Sequence, residues 1–215
     1  MSRFFEAGVA REIVSSEDWL RPGADRQTVA ASMFIDLRGF TQLAASLSAQ
    51  EVVKLLNEYH EVIVPVIQHN NGSVSTYLGD GILVTFGAIR PSPAFAADAL
   101  RGAEQLLDAY DRWAEARKAS GLDPLGIGIG VNCGAVAVGV IGEATRLEFA
   151  VIGDSVNCAA KLQNHTKVEG VRALATAELR GFAIQQGYDG RRCGETLPQR
   201  SVAGVAYLMD LVAIR

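Results

Sequence analysis

The chain has 215 residues, with a hydrophobic fraction of 49% and a charged fraction of 20%, the composition of one sizeable globular domain. Its net charge is −4 and no basic run is longer than two residues, which argues against non-specific nucleic-acid binding. Cys133, Cys158 and Cys193 are widely spaced and odd in number, which argues against a disulfide framework or a zinc site. With no signal-peptide pattern over residues 1–10 and no apolar run of about 20 residues, the sequence predicts a cytoplasmic protein without membrane contact.

The start of the chain is predicted to stand apart from the rest. Residues 1–28 are interpreted as a lead-in or a linker from a longer protein, and residues 29–215 as the domain itself. Within the lead-in, Phe4–Leu20 is predicted to form a short helix, which a Pro22-Gly23 break then ends.

The most informative stretch follows the first predicted strand. Val29–Ile35 is apolar and is predicted to be a buried strand. It ends on the carboxylate of Asp36, turns sharply at Gly39 and continues as a short helix over Thr41–Ser46. Backbone N–H groups at the start of such a helix suit phosphate oxygens.

A long helix comes next. Ser48 followed by Glu51 is the pattern of a capping box, and apolar residues at helical spacing continue to about His69. Pro65 is expected to kink this helix or to lie near a local break.

A second carboxylate lies at the tip of a predicted hairpin. The strands Ser73–Leu78 and Ile82–Phe86 flank Asp80, which sits between two glycines. Two carboxylates at strand ends, Asp36 and Asp80, suit a pair of divalent cations, because such cations prefer oxygen ligands. Asp before Gly is also common in ordinary turns, so Asp80 alone would be weak support.

The second half is predicted to complete a mixed α/β set of elements. A glycine at position 134 is interpreted as a break between two strands, and Asp154 as a helix cap. The alternating glycines over 126–130 are assigned to close sheet packing rather than to a phosphate loop. The predicted elements are Ala94–Ser120, Leu125–Cys133, Ala135–Ile141, an arm over Gly142–Arg146, Leu147–Ile152, Val156–His165, Val171–Ala175, Thr176–Gly181 and Val205–Ile214.

Three motifs occur in order along the chain: Phe34–Thr41, Gly79-Asp80-Gly81 and Arg146–Asn157. Together they resemble the catalytic domain of class III nucleotidyl cyclases, the adenylate and guanylate cyclases, particularly those of bacteria. The likeness runs from about Ala30 to Ala175 and is weaker beyond. It implies an α+β fold, with a ferredoxin-like mixed sheet flanked by helices, that works as a dimer.

The resemblance also implies an active site shared between two subunits. Asp36, Asp80 and the Ile35 carbonyl would hold two Mg²⁺ or Mn²⁺ ions in one subunit, and the partner would supply the base-reading and transition-state-stabilising groups. The ribose 3′-hydroxyl of a nucleoside triphosphate would attack the α-phosphorus, and pyrophosphate would leave.

Further residues receive expected roles. Asn157 and Lys161 lie four apart on a predicted helix, hence on one face, where they could present an amide and a cation to the ribose and the α-phosphate. The residues expected to bind phosphate are Arg38, Gly39, Phe40 and Thr41. For Arg38, pairing with a nearby acid is an equal alternative.

The sequence departs from the family's pattern at three positions. Thr76 stands where the family has a base-reading lysine, and Ala150 where it has an aspartate or threonine. Lys161 replaces an arginine, a change expected to slow turnover about tenfold to a hundredfold. Strand alternation would place the neighbours Ser75 and Tyr77 on the face opposite Thr76, so neither is expected to replace the lysine without a register change.

The leading hypothesis is therefore an adenylate cyclase-type enzyme that forms cyclic AMP from ATP, with GTP left open as a substrate because the base-reading positions do not decide between them. A homodimer is expected, and a heterodimer in which another chain supplies the base readers stays open. The altered positions Thr76, Ala150 and Lys161 support a second hypothesis, a nucleotide-binding regulatory module with little turnover. A pure dimerisation domain is the third.

Overall fold

The computed structural model describes residues 25–215, apart from Pro124, Ala144 and Thr145. Of Asp25, Glu143, Arg146 and Leu147 only the backbone is described. The helix predicted over Phe4–Leu20 and the Pro22-Gly23 break lie outside these residues. Within them, no helix is both long enough and apolar enough to cross a membrane.

Strands and helices alternate along the first half of the chain much as predicted. The first strand is longer than expected, and it ends immediately before Gly39, which has a positive φ of 84°. The elements are β1 (Asp25–Arg38), α1 (Phe40–Ala44), α2 (Ala49–His69), β2 (Gly72–Leu78), β3 (Gly81–Phe86) and α3 (Phe95–Ala119). Pro65 lies inside α2 without ending it.

The second half contains three departures from prediction. The predicted strand break at Gly134 was wrong, because a single 18-residue strand runs through it. Asp154 lies in the first turn of its helix, whose N-cap is Gly153 with no side-chain cap. The strand at Cys193–Arg200 was not predicted. The elements are β4 (Gly126–Glu143), β5 (Arg146–Ile152), α4 (Asp154–His165), β6 (Ala173–Thr176), α5 (Ala177–Gln185), β7 (Cys193–Arg200) and β8 (Met209–Ile214).

The eight strands of the described residues form one mixed sheet in the order β2-β3-β1-β4-β6-β8-β7, and β5 pairs with the far end of β4. The β4–β6 pair is parallel and the other pairs are antiparallel. The sheet and its helices confirm the α+β class. β1 and β4 lie at its centre and pair along their length, from Asp25 opposite Gly139 to Arg38 opposite Gly126.

The main hydrophobic core lies on one face of the sheet. Alternate residues of β1 and β4, such as Met33, Ile35 and Ile129, point to this face and are fully buried. Helices α2, α3 and α5 cover them with a row of apolar side chains that includes Tyr59 and Leu179. Residues of even number on β1, including Asp36, therefore point to the other face.

Helix α4 lies on that other face, over the alternating glycines of β4. A Cβ atom at Gly130 would lie 2.2 Å from the carbonyl oxygen of Ala159 and 2.2 Å from the backbone nitrogen of Gln163. A Cβ at Gly128 would lie 2.6 Å from Nε2 of Gln163. The glycines thus let helix and sheet approach at backbone distance, as the sheet-packing interpretation predicted.

The capping box at the start of α2 is present in full. The backbone N–H of Ser48 donates to Glu51 Oε2 at 2.8 Å, and the backbone N–H of Glu51 donates to Ser48 Oγ at 3.3 Å. We expect Ser48→Ala to lower stability by about 1 kcal/mol, because the substitution leaves a first-turn N–H without its acceptor. Urea unfolding measures this loss. Ser201→Ala, in an exposed loop, is the control, and an equal effect of both substitutions would contradict the prediction.

Candidate active site

The two predicted metal-binding carboxylates meet. β1 pairs with β3, with Ile35 opposite Ile82, which brings the tip of the β2–β3 hairpin beside Asp36. The carboxyl groups of Asp36 and Asp80 come within hydrogen-bonding reach of each other. Burial, together with the neighbouring Asp80 carboxyl, raises the pKa of Asp36 from 3.8 to about 6. Two acids distant in sequence therefore form one local cluster of negative charge.

Each oxygen of the Asp36 carboxyl faces a different element. Oδ1 lies toward the hairpin, where a Cβ at Gly81 would be 3.6 Å away. Oδ2 accepts a hydrogen bond from Nε2 of Gln163 on α4, at 3.4 Å. Lys167, just beyond the end of α4, has the opposite electrostatic effect to Asp80 and lowers the pKa of Asp36.

The buried phenol of Tyr59 also responds to this charge. Its pKa is raised well above 10 by burial first, and then by the nearby carboxylates Asp36 and Asp80. The phenol is fully buried and remains neutral.

The carboxylate pair fits divalent cations in its chemistry. Two closely spaced carboxylates repel each other, and a hard cation between them replaces that repulsion with attraction. Within the described part of the chain, no group of three or more His, Cys, Asp or Glu side chains is arranged to hold a metal ion. Further ligands would thus have to be backbone carbonyls, such as that of the neighbouring Ile35, or water and substrate oxygens.

The turn after β1 presents backbone donors. Gly39 is the N-cap of α1, and no side chain caps the helix, so the first-turn N–H groups of Phe40 and Thr41 are not taken by a side-chain acceptor. Helix α1 has only five residues, so its dipole contributes little. Arg38 packs against Gly126 and donates from Nη2 to the carbonyl of Val171, rather than to an acidic side chain.

The two predicted catalytic residues of α4 have other surroundings than Gln163, the residue of this helix that contacts Asp36. Asn157 is exposed, and Lys161 donates from Nζ to the carbonyl of Gly204 in the β7–β8 loop. In this structure the inner face of α4, with Gln163, contacts Asp36, whereas Asn157 points to solvent.

The expected alternation around Thr76 is broken by a register shift. Val74 lies opposite Val84 but Thr76 opposite Leu83, so Ser75 is an extra residue in β2. Ser75 Oγ lies 3.1 Å from Oγ1 of Thr85. The hydroxyl of Ser75 therefore lies on the same side of the sheet as the neighbouring Thr76. The register change that the sequence named as the condition for a neighbour to share the face of Thr76 is therefore present.

The other position expected to read the base remains without a polar group. Ala150, on β5, lies opposite Gly139 of β4 and is partly buried. Strand β5 approaches β2, which carries Thr76 and Ser75, so the two predicted base-reading positions belong to neighbouring parts of the fold.

Sequence reasoning missed two residues near the site, Gln163 and Ser75. The alternating glycines at 126–130 were the available signal for the first, because they indicate a helix lying on β4. For the second there was no signal, since a bulge is not specified by the local sequence Val74–Thr76.

The sequence is similar to those of known proteins over most of its length. The family model for the adenylate and guanylate cyclase catalytic domain matches residues 24–188. An uncharacterised protein of Mycobacterium tuberculosis strain H37Rv is 37% identical over 180 residues, which cover 82% of this chain and 30% of that protein. Another from the same strain is 32% identical over 203 residues, covering 91% and 35%. The chain thus spans about a third of the length of the curated relatives it matches.

The fold is similar to those of solved cyclases. The guanylyl cyclase Cya2 superposes with a TM-score of 0.75 at 29% identity, covering 88% of this chain and 92% of that one. The adenylyl cyclase CyaB of P. aeruginosa gives 0.71 at 23% identity, covering 89% and 95%. A bacterial light-regulated adenylyl cyclase gives 0.81 at 21% identity, covering 99% and 59%; at these lower identities the likeness is one of fold. The matched family model and the shared architecture agree, and the chain belongs to the adenylate and guanylate cyclase catalytic domain family.

Proposed function

We propose that this domain converts ATP or GTP into a 3′,5′-cyclic nucleotide and pyrophosphate, using two divalent cations. The observation that carries the proposal is the meeting of Asp36 and Asp80 in a chain of the cyclase family. A pair of partly buried carboxylates costs folding free energy in the metal-free protein, and such costs persist where the groups serve a function.

Each side of the proposed site has a distinct task. Asp36, Asp80 and the Ile35 carbonyl would hold two Mg²⁺ or Mn²⁺ ions. When bound, these ions would lower the pKa of the attacking 3′-hydroxyl and neutralise charge on the triphosphate. The phosphate oxygens would be bound by the uncapped N–H groups of the turn. The residues of this turn are Arg38, Gly39, Phe40 and Thr41, and Arg38 would first have to release the carbonyl of Val171.

A second copy of the chain is proposed to complete the site. Asn157 is on the exposed side of α4, whereas Asp36 contacts the inner side, so one subunit does not direct both groups at one nucleotide. In a homodimer the partner's α4 would supply the amide of Asn157 and the cation of Lys161. Lys161 would have to exchange its bond to Gly204 for one to the α-phosphate.

The proposal is tested by assaying purified protein with ATP and GTP in parallel, with Mg²⁺ and with Mn²⁺. A cyclic nucleotide is expected, at a specific rate that rises with protein concentration as dimers form. Analytical ultracentrifugation over the same concentrations establishes whether the active species is a homodimer. Absence of product from both nucleotides in the dimer, under conditions where a control cyclase is active, would overturn the proposal.

One alternative is favoured by specific observations. The ammonium of Lys161 is already bonded to the Gly204 carbonyl, and Ala150 offers no side-chain hydrogen bond to a base. These features suit a nucleotide-binding regulatory module with little turnover. That function predicts nucleotide binding that changes dimerisation without product, and turnover that is lost in Asp36→Ala would exclude it.

Base selectivity is predicted to be low. Thr76 and Ser75 offer hydroxyls, which donate and accept hydrogen bonds and so do not distinguish adenine from guanine as a charged reader does. We expect kcat/KM for ATP and GTP to differ by less than about a hundredfold, and Thr76→Val to reduce any preference while changing kcat little. Parallel kinetics with both nucleotides measure this, with Thr196→Val as a control distant in the fold. A preference clearly above about a hundredfold would contradict the prediction.

A further inference from the structure

We infer that Gln163 is a positioning residue, which orients the Asp36 carboxylate for divalent-cation binding through a hydrogen bond within the same subunit. The inference rests on the proposed function, because it assigns to Asp36 the role of a metal ligand. It adds a residue on α4 whose action is on its own chain, distinct from the outward-facing Asn157 and Lys161.

The first support is the contact itself. Gln163 Nε2 donates to Asp36 Oδ2 at 3.4 Å, a long hydrogen bond between two side chains that are 127 residues apart in sequence. Gln163 is only 4% exposed, so its amide does not have free access to water as an alternative partner. A buried amide donor that meets a carboxylate is retained there because leaving it unpaired costs free energy.

The second support is the space that a glycine on the neighbouring strand leaves for the Gln163 side chain. Gly128 is the residue directly opposite Asp36 on the neighbouring strand, and a side chain there would lie on the same face of the sheet. A Cβ at this position would be 2.6 Å from Gln163 Nε2. Glycine therefore leaves open the place that the glutamine amide occupies above the β1–β4 pair.

The third support is the rigidity of the glutamine. Thr166, which is fully buried, donates from Oγ1 to the carbonyl of Gln163, and the backbone of Gln163 contacts Gly130 closely. The amide is thus carried by a part of α4 whose position on the sheet is fixed.

The consequence for the carboxylate follows from its geometry. With Oδ2 engaged by Gln163, the carboxyl plane of Asp36 is held and Oδ1 is left on the side of the hairpin that carries Asp80. Hydrogen bonds to ligating carboxylates fix their orientation, and their loss typically costs tenfold to a hundredfold in metal affinity. Because this bond is long, we expect the lower end of that range.

The test measures Mn²⁺ affinity directly, by electron paramagnetic resonance of free Mn²⁺ in titrations of the purified protein without nucleotide. Gln163→Met keeps the length of the side chain and removes the donor, and is expected to weaken Mn²⁺ binding about tenfold. Gly128→Ala leaves the glutamine in place but displaces its amide, and is expected to weaken binding in the same direction. Asn164→Ala is the matched control, since Asn164 is exposed and its side chain donates to the Ala160 carbonyl of its own helix.

The outcomes are distinguishable. If the wild type binds Mn²⁺, Asp36→Asn does not, and folded Gln163→Met binds within twofold of the wild type, the positioning role is overturned and the proposed function stands. If the wild type itself binds no Mn²⁺ with or without a nucleoside triphosphate, both are overturned. Circular dichroism of each variant shows that it is folded, and should Gly128→Ala not fold, Gln163→Met alone decides.

Discussion

Asp36→Asn is expected to abolish cyclic-nucleotide formation and, in the same protein, to raise the melting temperature of the metal-free state. Turnover should fall by at least about a thousandfold, because the substitution removes one of the two carboxylates proposed to bind the cations. Metal-free stability should rise because the mutual repulsion of Asp36 and Asp80 is removed. A residue with only a structural role would be expected to change both quantities in the same direction.

The gain in stability should depend on pH in a defined sense. The pKa of Asp36 is raised to about 6 in the folded protein, so ionising this group costs folding free energy as pH rises through that value. The advantage of Asp36→Asn should therefore be present at pH 8 and largely absent near pH 4. After solvent screening it should amount to about 1 kcal/mol, or about 2–4 °C.

Thermal unfolding of the wild type and of Asp36→Asn, with and without Mn²⁺, measures these differences in melting temperature. Excess Mn²⁺ should raise the melting temperature of the wild type and leave that of Asp36→Asn unchanged, since a ligand stabilises only the state that binds it. Asp123→Asn, which removes an exposed carboxylate after α3, is the control. Substantial turnover by Asp36→Asn would contradict the proposed metal role.

Gly130→Ala is expected to have the largest effect on stability among the substitutions considered. The added Cβ would lie 2.2 Å from two backbone atoms of α4, those of Ala159 and Gln163, and neither can move without displacing the helix. We expect a loss of at least about 3 kcal/mol or failure to fold, because packed interiors do not absorb such an overlap locally.

Gly181 provides a matched control for this prediction. It lies inside α5, with nothing within 4 Å of an added Cβ and no positive φ. Gly181→Ala should be neutral or stabilise the protein by about 0.5–1 kcal/mol, because alanine has the higher helix propensity. Chemical denaturation compares the two variants, and equal stabilities would show that close contact between α4 and β4 is not needed for folding.

The sequence was sufficient to predict the structure where the local preferences of the residues agree with the fold. Ser48 and Glu51 predicted the start of α2, which is set by hydrogen bonds within four residues. The hairpin around Asp80 was predicted from two apolar runs and a glycine turn. That Asp36 and Asp80 meet could be expected from the family resemblance, whereas the residues alone could only state that both follow strands.

The sequence was insufficient to predict the structure where contacts between residues far apart in the chain determine it. Gly134 suggested a strand break, but β4 continues through it because β1 pairs with β4 on both sides of that point. The extra residue at Ser75 depends on pairing with β3, which local propensity does not encode. Nothing in the sequence distinguishes Gln163 from other helical glutamines, and only the packing of α4 on Gly128 brings it to Asp36. Its contact with Asp36 could therefore not be predicted from its position along the helix.

In the proposed dimer the two sides of helix α4 would serve different catalytic centres, and this has a kinetic consequence. Its twelve residues form a rod of about 18 Å whose inner side contacts Asp36 of one proposed centre. Its outer side would contribute Asn157 and Lys161 to the other centre. A shift of this rod on cation binding at the first centre would therefore alter the second, so the two centres should not be treated as independent when rate data are fitted.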